Sequence, residues 1–498
     1  MLFTSYSFVL FSLAVAAVYY IVPAKWQNVL LFGASCWFYW YTMPKFLPLL
    51  LASAALSWGM GLLLQNKQLK GRKALFIATL LLLLAPLLYY KYCGFFVNTA
   101  SALLGLSLKA AKLALPLGIS FYTFQTVGYV IDCYNGSIAA EKNPVNCMLF
   151  ISFFPQLLSG PIGRAKHLLP QYAGERSFDT ANLREAGARY LSGLFKKVVV
   201  ADNLGRVVDL YYASPGSYPN AAVTLFVVCC YAVQIYYDFV GYSDMAIAAA
   251  RLFGIELPEN FNTPFLATNM SGYWKRWHMS LTGWLTDYVF TPLVWSRWGN
   301  KVLYGKNWQN HKPVTLINLA IVFLLSGIWH DATLNFVIWG LMHSFFRLVE
   351  ELLHRWRKPS KKEPLYKVNA KRLVVFLLSV VSHIPFRADS LGTALEVMRY
   401  SVVLLPLKEM VWAVINFVYT VFGAGTYGLM NIALLVVSTA LAWWLDVRMF
   451  RTANSVKDRA VPVLALPQWG AVAVYAFMYL AVILIGQFGA SGFIYFNF

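Results

Sequence analysis

Apolar runs recur along the whole chain, separated by loops that carry most of its Lys and Arg residues. A helix that crosses a bilayer core needs roughly 20 such residues. Runs at 6–22, 46–64, 74–92, 221–253, 314–329, 334–352, 373–385, 431–445 and 470–485 are clear candidates. Less regular runs at 27–41, 115–133 and 148–160 bring the total to about a dozen. Several fall short of a full span or contain Pro, so some should be tilted, re-entrant or buried in protein. The pattern predicts an all-α polytopic membrane protein.

Composition agrees with a lipid solvent. Of 498 residues, 59% are hydrophobic and 12% charged, against about 25% charged in ordinary soluble domains. The first run has no basic residue ahead of it and others follow at once, which predicts a retained helix and not a cleaved signal. The net charge of +20 could suggest nucleic acid, but the basic residues gather in the short loops near 65–73, 353–372 and 447–460. Such loops stay in the cytoplasm. That rule puts both termini outside and leaves residues 386–424 as an outer-face or re-entrant region, since a single span there would break the parity. The chain is divided accordingly into N-terminal helices (1–110), a core with the histidines discussed next (111–352) and C-terminal helices (353–498). Six scattered cysteines form no CxxC pair and no His/Cys metal spacing, so neither a metal nor a disulfide framework is expected.

Candidate chemistry begins with "WKRWHMSLTGWLTDYVF" (274–290). On a continuous helix, Lys275, His278 and Thr282 share one polar face beside an apolar stripe of Trp277, Leu281, Trp284 and Tyr288. With Arg276, this basic edge could hold an anionic donor. An interfacial anchor would also use Trp, Lys and Arg, but it would not need a His. A second histidine, His330, closes "LLSGIWH", with Ser326 and Gly327 on its own helical face; Gly there admits a neighbouring backbone or a thin substrate. Asp331 points about 100° away and is not assigned as its partner. An imidazole suits proton exchange near neutral pH, which together with the basic face points to group transfer onto a hydroxyl. Asp238 and Asp244 are carboxylates in an apolar run, either functional or paired with a lysine or another helix. Pro155, Gly160 and Pro161 should break a helix at depth, leaving Gln156 and Ser159 as lining candidates. "LPENFNTPF" reads as a turn that Glu259 and Asn260 shape.

Several blocks in fixed order carry a resemblance: "KYCGFF" (91–96), "PLGISFYTFQTVGYVIDCYNG" (116–136), "FFPQLLSGPIGRAKHLLPQ" (153–171), "YDFVGYSDMAIAAARLFGIELPENFNTPF" (237–265), "WKRWHMSLTGWLTDYVFTPL" (274–293) and "LLSGIWHDATLNFVIWGLMHSF" (324–345). Together they resemble the membrane-bound O-acyltransferase family, in its bacterial branch of polysaccharide O-acetylation and teichoic acid D-alanyl transfer proteins. The resemblance implies a ring of helices around a thin centre with a funnel on each face, in a bacterial inner membrane. It implies His330 as the catalytic histidine, with His278 as a second important one. Two departures stand out: Thr286 where many relatives have Arg, and Asp331 where Gly is usual.

The ending "FIYFNF" could be a plain aromatic anchor. It also resembles a Phe-x-Tyr-x-x-Phe terminus of these systems through Phe493, Tyr495 and Phe498, which implies Tyr495 as an acyl carrier. The implied donor is a cytoplasmic thioester, acetyl-CoA first and a D-alanyl carrier protein second, with no bound cofactor. The implied partners are the bilayer and a secreted or membrane-anchored esterase-like transferase. A transporter or flippase of lipid-linked sugars is the rival class; it would call for repeat halves and ion-coupling carboxylates at the midplane, and no repeats are visible.

Overall fold

The computed structural model describes residues 1–105, 113–296, 313–356, 363–452, 462–489 and 493–494, and it is helical throughout them. Among the described residues six helices are long and apolar enough to cross a membrane: Pro44–Gln65, Arg72–Asn98, Ala221–Arg251, Leu365–Arg387, Thr426–Met449 and Gln468–Ile485. Tyr6–Ile21 and Ile317–His330 are apolar but shorter. Several of the dozen runs are expected to fall short of a full span, and these two do. Ala221–Arg251 is the interior helix, with 78% of its apolar window buried against 17–39% in the other five. Hydroxyls in the apolar helices bond back to their own turn, as Ser35 does to the Leu31 carbonyl (2.7 Å) and Thr79 to that of Leu75 (2.8 Å). Both hydroxyls are buried, and the back-bond leaves neither unpaired in the interior.

The chain gathers into two compact units. One comprises Met1–Tyr190 and Met245–Glu259. Within it, a Cβ on Gly61 would lie 2.7 Å from the Tyr129 ring, so glycine is what lets the helices Leu47–Gln65 and Ile119–Asn135 meet. The run at 148–160 is broken as expected: helix Pro144–Ser152 stops, a single turn Phe154–Leu157 follows, and the irregular backbone after it is buried. Glu259 shapes its turn through a bidentate pair with Arg189 (2.7 and 2.6 Å).

The other unit comprises Leu191–Asp244 and Asn260–Phe498. Helix Thr180–Leu194 runs into a wide π-helical stretch, Phe195–Ala201, before Asp202–Ala213. Further on, helices Pro313–His330 and Leu334–Trp356 form a hairpin. Its two glycines lie backbone to backbone: a Cβ on Gly327 would stand 2.2 Å from the Phe336 carbonyl oxygen, and one on Gly340 2.6 Å from that of Phe323. Residues 386–424 hold two helices of 10 and 16 residues, Leu391–Tyr400 and Leu407–Phe422.

Candidate active site

His278 does not sit on a continuous amphipathic helix. Helix Met270–Trp274 ends, the backbone turns left-handed at His278 (φ 44°, ψ 52°), and Met279–Leu285 starts afresh. A non-glycine residue in this region is strained and is held there only by its surroundings. The break separates what helical spacing put together. Lys275 is exposed, whereas His278 is 1% exposed. Arg276 turns to Asn262, whose N–H it accepts (2.9 Å) and whose carbonyl it approaches with its guanidinium (3.3 Å).

Asn260 holds the strained turn. Its backbone carbonyl accepts from Met279 N–H (2.8 Å). Its Oδ1 accepts from Ser280 N–H (3.3 Å) and Ser280 Oγ–H (2.8 Å), and it lies 3.1 Å from His278 Nδ1. A backbone N–H can only donate, so the atom facing Ser280 must be the amide oxygen. His278 Nδ1 must then carry its proton, and Nε2 keeps the lone pair. Burial pushes the imidazole down to about 3, so the ring is neutral. Asn260 therefore does more than shape a turn: it fixes which nitrogen of His278 can accept a proton.

His330 ends the hairpin's first helix and is 4% exposed. Aromatic rings surround it: Trp329 at 4.9 Å between centroids, Phe386 at 5.2 Å, Trp339 at 5.4 Å and Phe336 at 6.1 Å. The Trp329 indole also meets His278 edge-on at 6.2 Å. One ring thus touches both imidazoles. Ser326 is buried one turn before His330, while Gly327 serves the hairpin contact described above. Asp331 follows the helix end, where its carboxylate accepts from Ala332 N–H (2.9 Å).

Asp238 and Asp244 have lysine partners that sequence reading left unidentified. Lys197 binds Asp238 (2.5 Å) and Asp202 (2.7 Å), and Lys196 binds Asp244 (2.8 Å) and Asp446 (2.6 Å). All six side chains are at most 7% exposed. A regular α-helix sends consecutive residues 100° apart; the π-helical stretch lets both lysines reach inward. The available signal was "FKKVVVAD", two adjacent lysines inside an apolar run.

The same carboxylate anchors the end of the chain. Asp238 Oδ2 accepts from Ile494 N–H (2.9 Å). Phe493, 2% exposed, stacks on Tyr242 at 4.3 Å and packs against Phe239 at 5.3 Å. Phe239 in turn meets the His278 ring edge-on at 4.6 Å. Upstream, Gln487 N–H donates to the Val198 carbonyl (2.9 Å) and Asn203 Nδ2 to that of Ile485 (2.7 Å). Tyr495 and Phe498 lie outside the described residues. Gln156 and Ser159 belong to the first unit, where they donate to local carbonyls, Gln156 to Phe150 (2.7 Å) and Ser159 to Leu158 (2.7 Å). Among the described residues no cluster of three or more His, Cys, Asp and Glu is arranged to hold a metal ion.

The family model of membrane-bound O-acyltransferases matches residues 137–384, a range that contains both histidines. The chain is 34% identical to the "Probable alginate O-acetylase AlgI" of Azotobacter vinelandii, over 76% of this chain and 73% of that protein. It is 32% identical to the peptidoglycan O-acetyltransferase of Helicobacter pylori, over 76% of each. The match to the teichoic acid D-alanyltransferase of Bacillus subtilis is also 32% identical, but spans 50% of this chain and 62% of that one.

Proposed function

This chain belongs to the membrane-bound O-acyltransferase family, and from that membership we propose that it carries an acetyl group from cytoplasmic acetyl-CoA to its own C-terminal tyrosine, for O-acetylation of an extracellular or cell-wall polysaccharide. That it is a multi-pass membrane acyltransferase follows from the family; the donor, the carrier and the acceptor are proposed. One observation carries it. Phe493 and Ile494, the first two residues of the terminal motif, are docked on Tyr242 and Asp238, one aromatic ring away from His278. Tyr495 is the next residue in sequence.

In this reading His330 is the general base. It takes the phenol proton of Tyr495 as the phenolic oxygen attacks the thioester carbonyl. A C–O bond forms, the C–S bond breaks, and the departing thiolate takes the proton back from the imidazolium. His278, with Nδ1–H committed to Asn260, presents Nε2 as a hydrogen-bond acceptor one aromatic ring away from the docked tail, separate from the phenol proton that His330 takes. A phenol of pKa about 10 leaves more readily than an alkyl alcohol, so the aryl ester can pass its acetyl group on. An esterase-like transferase on the outer face would receive it, with both termini of this chain on that side.

Acetyl is preferred over D-alanyl because similarity to the O-acetylating relatives runs through about three quarters of the chain and similarity to the D-alanylating one through half. The transporter reading has no support among the relatives, which are named for group transfer.

The test is intact mass and peptide mapping after incubation with isotopically labelled acetyl-CoA. Label on the C-terminal peptide, lost in Tyr495→Phe and His330→Ala, is the expected result. Loading instead by an aminoacyl carrier protein would move the donor to D-alanine, and label on neither would refute the covalent relay.

A further inference from the structure

Within the second unit, a small pocket borders His330. It is lined by Trp274, Trp277, His330, Trp339, His343 and His383 among others, and its free volume of about 10 Å³ is close to the space one water molecule needs. The rings stand close around it. Trp339 and Trp274 lie 4.8 and 4.9 Å from His343, Trp339 lies 5.4 Å from His330, and Phe386 lies 5.2 Å from His330 and 6.3 Å from His383.

Buried polar atoms of the lining residues that have no hydrogen-bond partner among the described residues include Nδ1 of His343, Nδ1 of His383, and the indole Nε1 of Trp274 and of Trp339. His343, Trp339 and His383 are 1%, 3% and 4% exposed. A native interior rarely leaves such groups unpaired singly, and four around one small pocket call for a common partner.

We propose that this pocket is a built site for a single water molecule, held by His343, His383, Trp274 and Trp339 beside His330. The chemistry of the lining selects the occupant. The two indole N–H groups can only donate, and neutral imidazole nitrogens can accept. Water offers two lone pairs to the indoles and two O–H groups to the imidazoles, which meets all four. A methyl group from an acyl chain would leave all four unpaired, and indole N–H groups, which can only donate, oppose a cation. The bookkeeping also fixes a tautomer: with both lone pairs taken by the indoles, His343 and His383 each present an unprotonated Nδ1.

Its use rests on the acyl-transfer reading above. The imidazolium that forms on His330 during transfer stands among aromatic rings; the fixed water, its four hydrogen bonds committed, acts on it through its dipole and not through a bond of its own. His343 and His383 are then positioning residues that act through that water.

Two measurements test this. The first is density at better than about 2 Å, fine enough to show ordered water. A single peak within hydrogen-bond distance of the four atoms is expected, and an empty pocket or an acyl methyl there overturns the proposal. The second compares His343→Gln with His343→Phe in label transfer at matched abundance. Phe matches the ring's shape but offers the water nothing, while Gln keeps a hydrogen-bonding amide. The water role predicts that Phe loses about tenfold more activity than Gln, the factor of one lost hydrogen bond. Trp339→Phe, which keeps an aromatic ring and removes only the N–H, should fall with it. Phe equal to or better than Gln would mean the residue only fills space and overturns the role. The density measurement does not depend on activity, so water present in a wild-type protein that transfers no acetyl would sink the function proposed above and leave the site standing.

Discussion

Replacing Asn260 tests the most specific geometric claim about the site, that this amide sets the protonation of His278. In Asn260→Ala, the Ser280 hydroxyl can rotate to another acceptor, but Ser280 N–H and His278 Nδ1–H cannot. Each buried donor left unpaired costs about 1–3 kcal/mol, so the two together predict a loss of roughly 2–6 kcal/mol and a disordered turn. Asn260→Asp is the sharper variant because a carboxylate can accept the same three hydrogen bonds. It also puts a negative charge where Oδ1 now stands, 3.1 Å from Nδ1. An adjacent anion favours the imidazolium and raises a pKa that burial now holds near about 3. As pH falls through the raised value, Nε2 gains a proton and stops accepting. Activity of the variant should therefore drop on the acid side of the range from about pH 5.5 to 8.5, where the wild-type histidine stays neutral throughout. The assay is the initial rate of labelled acetyl transfer against pH in reconstituted membranes, with thermal melting as the check on folding. A wild-type rate in Asn260→Ala, together with an unchanged pH profile in Asn260→Asp, would refute the reasoning.

His330→Ala, at normal abundance and melting temperature, should lose about 10²–10⁴-fold in transfer, the usual worth of a positioned general base, read by the same label assay. Lys197→Met strands Asp202 and Asp238 in the interior; breaking such a pair costs about 3–5 kcal/mol, so the melting temperature should fall and the C-terminal segment should become open to carboxypeptidase. Adding Asp238→Asn should recover part of the stability but not the tail's protection. Gly327→Val would drive a side chain into the Phe336 carbonyl and should destabilise by about 1–3 kcal/mol or more. Gly33→Ala, mid-helix with nothing within 4 Å of the added Cβ, should instead stabilise by about 0.5–1 kcal/mol.

Helix positions were legible because length and apolarity are local properties. The run at 6–22 is helix Tyr6–Ile21, and that at 470–485 lies within Gln468–Ile485. The histidines were legible for a related reason, as ionisable groups where lipid makes them costly. Sequence spacing failed where a distant residue decides the backbone. Lys275, His278 and Thr282 fit helical periodicity, yet Asn260 overrides it by binding the far side of the turn. Lys196 and Lys197 were not legible because the apolar run around them is too short to read as a span, and their partners Asp238, Asp244 and Asp446 lie on other helices.

These irregular stretches explain why the tail docks where it does. Each buried lysine is shared by two carboxylates, so the remaining carboxylate oxygens must be met by neutral donors. Tyr236 O–H serves Asp446 (2.9 Å), and for Asp238 the backbone N–H of Ile494 does so (2.9 Å). A backbone donor makes this anchor indifferent to the side chain at 494, while Phe493 supplies the selectivity through Tyr242 and Phe239. Phe493→Ala should therefore weaken docking far more than Ile494→Ala. A tail peptide added in trans to a truncated protein should compete by the same rule: the Ile494→Ala peptide should bind as well as the native one and the Phe493→Ala peptide should not, and equal binding by both would place the anchor elsewhere.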